Sequence, residues 1–203
     1  MSEKAGYKDV QLDPKVSALV IIDMENDFCK PGGHLYHPDG VDEVIPKLKA
    51  LLHQTRDAGM QILFLQSVRY NDSPEYARFG HTPFILKGTW GSSYIEEVAP
   101  LEGELVIEKN THDCFYKTEM DSVLERLQIL PESHSIVVTG VAANVCVYHA
   151  VIGFHIRHYQ VIVPMDCCAG YPWGRKILET QMLDGAYNYN VTLTNSDTIS
   201  FKS

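Results

Sequence analysis

Ser17-Ala18-Leu19-Val20-Ile21-Ile22-Asp23 is the stretch whose reading decides the fold. An aliphatic run with no polar alternation is followed at once by an acid. A strand with one wet face alternates apolar and polar residues. An unbroken run must be covered on both faces, as in a buried parallel sheet. Runs of the same kind recur at 61–65, 104–107, 135–138, 160–163 and 191–193. Between them lie segments with helical spacing. Residues 41–58 carry Val44, Ile45, Leu48, Leu51 and Leu52 on one stripe, and 119–130 carry Met120, Val123, Leu124 and Leu127. Residues 145–158 are apolar on most sides, and 175–187 carry Ile177, Leu178, Met182, Leu183 and Ala186. Strands alternating with helices along the whole chain predict right-handed crossovers. The expected architecture is α/β: a three-layer α/β/α sandwich with a mainly parallel six-stranded sheet, as one domain over residues 1–203.

The chain has 203 residues, 45% of them hydrophobic and 21% charged, which suits an ordinary globular protein and excludes disordered, collagen-like and coiled-coil classes. Its net charge of −9 argues against nucleic acid or an anionic membrane as the main partner, since both require clustered positive charge. No apolar run approaches the roughly 18 residues of a spanning helix. The first nine residues, MSEKAGYKD, lack the apolar core of a signal peptide. Five cysteines without framework spacing predict free thiols in a cytoplasmic protein.

In an open parallel sheet the reactive crevice lies beyond the carboxyl ends of the strands. Asp23 ends the first run, Lys109 follows the third, Cys146 lies shortly after the fourth, and Asp166 ends the fifth. A carboxylate, an amine and a thiol on one rim make a nucleophile-plus-base set. Each also has an ordinary reading: a cap or turn for Asp23 and Asp166, a solvated side chain for Lys109, a small core residue for Cys146. If a helix begins near Ala143 or Asn144, the thiol sits in its first turn. The free N–H groups there would favour thiolate and could receive an oxyanion. The long irregular stretch 70–100 is placed to cover a ligand site.

Several motifs, in order, resemble the isochorismatase-like cysteine hydrolases, a family that includes ureidoacrylate amidohydrolases, N-carbamoylsarcosine amidase, biuret hydrolase, nicotinamidases and isochorismatase. They are ALVIIDMENDF at 18–28 with Pro31-Gly32-Gly33, then Lys87-Gly88-Thr89-Trp90-Gly91, then VIEK at 106–109. Phe115, Thr118 and Asp121 follow, and VTGVAANVCV spans 138–147. The resemblance implies Asp23 as general base, Lys109 as the cation holding the pair in register and Cys146 as nucleophile. It implies an oxyanion hole from the amides of Ala142 and Cys146, a cis peptide between Val141 and Ala142, and a water activated by Asp23 to hydrolyse the thioester. It also implies a homo-oligomer; apolar Val147, Val151 and Ile152 suit core or interface equally.

Departures from the family pattern narrow the expectation. Nicotinamidases carry an Asp-x-His and a further His after the second strand to hold a metal, whereas this chain reads SVRYNDSP at 67–74. No metal and no cofactor are expected, and His34 and His37 lack a carboxylate partner at fixed spacing. A thiol suits a carboxamide or ureide better than a vinyl ether, so the expected partner is a small-molecule amide or ureide. Phe28, Trp90 and Phe115 are the expected pocket walls and Arg69 the expected partner of a substrate carboxylate. The part after the fifth strand offers little to specify a ligand. Two rival readings stay open: a hydrolase using Asp23 on a non-amide bond with Cys146 a bystander, and a non-catalytic scaffold or thiol sensor.

Overall fold

The computed structural model describes residues 6–183 and 189–202. The main sheet comprises β2 (Ser17–Ile22), β3 (Gln61–Ser67), β4 (Leu105–Lys109), β5 (Ser135–Gly140), β6 (Gln160–Pro164) and β7 (Val191–Thr194). Its order is β4-β3-β2-β5-β6-β7, and every pairing is parallel. The six apolar runs are the six strands. A second sheet pairs the short β1 (Val10–Leu12) with β8 (Ile199–Phe201), also in parallel. Strands of three residues carry no legible period, which is why the sequence reading passed over them.

The aliphatic run of β2 divides by its pleat, because successive side chains point to opposite faces. Ala18, Val20 and Ile22 join one core with Met120, Val123, Val151, Phe154 and Leu178. Leu19 and Ile21 join the other with Val44, Leu48, Leu51 and Leu52. The first core is closed by α5 (Met120–Arg126), α6 (Tyr148–His155) and α7 (Pro172–Leu183). The second is closed by α3 (Val44–Asp57), which follows the short α1 (Asn26–Cys29) and α2 (Pro38–Val41); a further turn, α4 (Pro74–Ala77), lies in the 70–100 connection. The three expected layers are present. Val147 and Val151 are fully buried in the first core, so they serve packing within the chain.

Four helices differ from their expected bounds. The predicted 41–58 helix is interrupted at Asp42–Glu43 and resumes at Val44, so that Pro46 falls in the first turn, where a missing N–H costs nothing. The predicted 119–130 helix stops at Arg126, and Gln128 turns the chain with φ of +55°. The predicted 145–158 helix begins as a five-residue π-helical turn over Ala143–Val147 before α6. The predicted 175–187 helix starts earlier, at Pro172; its end, including Ala186, lies outside the described residues. Among the described residues no helix is long and apolar enough to cross a membrane. All five cysteines are free and buried.

Candidate active site

The chain builds outward from β2 through β3 to β4, then returns to place β5 against the other edge of β2. This is the topological switch point, where an open parallel sheet forms its crevice. Asp23 leaves β2 there with φ of +53°, a left-handed conformation that Asp tolerates better than most residues. Its N–H donates to Leu65 O at 3.0 Å, and its own carbonyl accepts from Glu25 N–H at 2.8 Å. Lys109 is the last residue of β4 and pairs in register with Ser67, the last of β3.

Gly140 ends β5 beside Ile22. It adopts φ of +115°, and a Cβ built there would lie 2.1 Å from Ile22 O, so only glycine lets the two strand ends approach. Val141 N–H then donates to Ile22 O, and Ala143 N–H to Ala169 O, fixing the chain that leads to Cys146. The Val141–Ala142 peptide bond is cis. Among the described residues neither the Ala142 nor the Cys146 amide donates to an acceptor outside the 143–147 turn.

Three residues distant in sequence meet at the Lys109 ammonium. It donates to Asp23 Oδ2 at 2.8 Å, to Ser67 Oγ at 2.6 Å and to Thr111 O at 3.2 Å, and it lies 3.5 Å from Cys146 Sγ. The side chains of Asp23 and Lys109 are fully buried. Burial disfavours the lysine charge, but the Asp23 carboxylate and the Cys146 sulfur outweigh it and hold Lys109 above its ordinary pKa. Burial pushes the Cys146 thiol up; the Asp23 charge adds to this and Lys109 opposes it. This corrects the expectation that a helix start would favour thiolate: the sulfur sits in a π-helical turn against the core, only 6% exposed, and desolvation dominates. Desolvation thus favours the thiol form, whose proton a neighbouring base would have to take.

Residues outside the expected set complete the site. Glu25, fully buried, accepts from Ser67 N–H at 2.7 Å, while its Oε2 has no partner. Burial and the neighbouring Asp23 charge raise its carboxyl well above the usual range, which favours the neutral acid. His112 Nδ1 lies 3.5 Å from Cys146 Sγ. Its sequence signal is faint: a histidine in the polar run that follows the Lys109 strand. Asn26 and Asp27 hold the 70–100 connection over the crevice, Asn26 donating to Trp90 O and Asp27 accepting from Ile85 N–H.

A cavity of about 330 Å³ opens on the sulfur, with walls that include Phe28, Arg69, Phe84, His112, Tyr171 and Trp173. Asp23 and Lys109 do not line it; they lie behind Cys146. Phe28 and Arg69 stand where the sequence reading placed them. Trp90 does not: the residue is 55% exposed, and its carbonyl takes the Asn26 bond. Phe115 does not either, being packed in the core in a T-shaped pair with Phe154 and with Arg157 over its ring. The sequence reading found little after the fifth strand to specify a ligand, yet two aromatic residues there line the cavity. Tyr171 stacks on Trp173 at 5.7 Å to form one rim. The pair flanks Pro172 at the start of α7, and that aromatic–proline cluster was the available signal. Asp166 serves as a turn acceptor for Ser196. His34 stacks on Phe84 and His37 packs on Tyr171; among the described residues no cluster of three or more His, Cys, Asp or Glu could hold a metal ion.

Known proteins fit this picture. The ureidoacrylate amidohydrolase RutB of Caulobacter segnis is 27% identical over 184 residues, covering 78% of this chain and 75% of that protein. The solved N-carbamoylsarcosine amidase of Thermoplasma acidophilum superposes with a TM-score of 0.74 at 28% identity, over 90% of this chain and 97% of that one. An isochorismatase-like hydrolase of Alkaliphilus metalliredigens gives a TM-score of 0.78 at 26% identity, over 90% and 96%. The family model described as the isochorismatase domain matches residues 17–195, from the first residue of β2 to just beyond β7, and the chain belongs to that family.

Proposed function

We propose that the protein is an amidohydrolase that cleaves a C–N bond of a small carboxamide or ureide through a cysteinyl thioester, releasing ammonia or an amine. The observation that carries this reading is the Lys109 ammonium in contact with both the Asp23 carboxylate and the Cys146 sulfur, with the Cys146 residue lining the cavity. The printed activities of the C. segnis and T. acidophilum relatives point to the same bond class. The free thiols suit the cytoplasm.

In this reading Asp23 takes the thiol proton, and Lys109 steadies the carboxylate and the developing thiolate. The sulfur attacks the carbonyl carbon, and the electron pair of the C=O bond moves onto oxygen. The Ala142 and Cys146 amides receive that oxyanion. Collapse restores the carbonyl and breaks the C–N bond, and the proton held by Asp23 goes to the departing nitrogen. Water then cleaves the thioester and returns the thiol. The test is ammonia release from a panel of small amides and ureides, with Cys146→Ala as the blank. Turnover retained in a folded Cys146→Ala protein would instead assign the chemistry to Asp23 alone.

Arg69 supplies the substrate-orienting charge in this reading. It is 3% exposed; its Nε donates to Glu75 and its Nη1 to Val68 O, leaving Nη2 for a ligand in the cavity. Arg69→Gln is expected to raise KM for a carboxylate-bearing ureide by about 10–100-fold, the size of one charge-assisted hydrogen bond. The same change should leave KM for a neutral amide within a few-fold. Equal effects on both would remove Arg69 from substrate binding.

A further inference from the structure

We infer that His112 is the general base that activates the hydrolytic water in the second half of the reaction. The inference rests on the thioester reading above and revises one step of it, since the family resemblance gives that step to Asp23. The geometry separates the two groups. Asp23 is fully buried, is bonded to Lys109 through Oδ2 and does not line the cavity. His112 lines the cavity and brings Nδ1 to 3.5 Å from Sγ. A water attacking the thioester carbon enters through the cavity that the leaving amine has just vacated. The basic group it meets beside the sulfur is the imidazole. The two half-reactions expel an amine and admit a water, so one group need not serve both.

The electrical surroundings favour this role. Burial lowers the His112 pKa. Lys109 on β4, Arg69 after β3 and His149 on α6 lower it further, and Asp23 after β2 opposes them. These surroundings favour the neutral ring. With its proton on Nε2, the Nδ1 lone pair faces the Cys146 sulfur at 3.5 Å, and faces the thioester once that sulfur is acylated. The step balances. Nδ1 takes one proton from water as the O–C bond forms; collapse breaks the C–S bond, and the imidazolium proton passes to the departing thiolate. The acid leaves and the thiol is restored.

The probe is p-nitrophenyl acetate, which acylates a reactive thiol with release of p-nitrophenolate. Wild type is expected to give a burst of one equivalent, absent in Cys146→Ala, followed by steady turnover. His112→Gln should keep the burst, slow deacylation by about 100-fold or more, and accumulate acetyl-enzyme visible by intact mass. A burst lost together with turnover, or a burst followed by wild-type deacylation, overturns the assignment while leaving the thioester reading in place. Absence of a Cys146-dependent burst in wild type overturns both. A second measurement is the pH profile of deacylation. Wild-type deacylation should fall tenfold per unit on the acid side as the imidazole gains its proton, and His112→Gln should lose that inflection. An acid-side fall left unchanged in His112→Gln overturns the assignment.

Discussion

Lys109→Met is expected to cost about 3–5 kcal/mol of stability and to abolish amide turnover. Methionine fills much the same volume, so the loss is electrical. The ammonium it replaces is sealed from solvent and donates to Asp23, Ser67 and Thr111 while touching the Cys146 sulfur. Without it the Asp23 carboxylate is buried with no counter-charge, beside a second buried carboxyl on Glu25. An unpaired buried carboxylate is costly, and any rearrangement that relieves it takes Asp23 away from the thiol it must serve. Stability and catalysis therefore fail for one reason. Urea unfolding checks the first and ammonia release the second. The double variant Asp23→Asn with Lys109→Met separates them: it should recover most of the lost stability, since neither charge remains, and none of the activity. If the single variant loses less than about 1 kcal/mol, the pair is not the buried ion pair described.

What could be read from the sequence, and what could not, follows from how each feature is encoded. The six-stranded sheet was legible because burial on both faces forces an unbroken aliphatic run, and such runs are hard to mistake. Asp23 and Lys109 were legible because they sit at strand ends, where the topology of a parallel sheet gathers side chains from distant segments. The β1–β8 pair was not, because three-residue strands leave no period. The cavity walls were read only in part for another reason. Phe28 follows β2 closely and inherits its placement. Trp90 and Phe115 lie in connections whose direction is set by tertiary bonds, such as that from Asn26 to Trp90 O, that no local pattern records. Tyr171, Trp173 and His112 belong to the cavity by the same unrecorded geometry. The burial of Cys146 was not legible because proximity to a helix start is visible in sequence, whereas desolvation is not.

Gly140→Ala is expected to destabilise the fold by more than about 4 kcal/mol, the range reserved for core clashes and broken buried networks. Two effects combine. The residue holds φ of +115°, which an alanine adopts only at a cost, and its added Cβ would lie 2.1 Å from Ile22 O and 2.6 Å from Ile22 N. Those atoms belong to the central strand, which is pinned on both sides by β3 and β5 and cannot yield. The only relief is to part the carboxyl ends of β2 and β5. A control lacks the contact. Gly59 also has positive φ, +66°, but a Cβ there meets nothing within 4 Å, so Gly59→Ala should cost only about 1–2 kcal/mol of backbone strain. The difference between the two urea midpoints, at equal m-values, measures the contact together with the added strain of φ at +115° over φ at +66°. Parting those strand ends has a chemical consequence as well. Asp23 follows one and the turn carrying Cys146 follows the other, so whatever Gly140→Ala protein remains folded should acylate poorly with p-nitrophenyl acetate. Near-wild-type acylation in that variant would mean that the spacing of β2 and β5 does not set the distance between base and nucleophile.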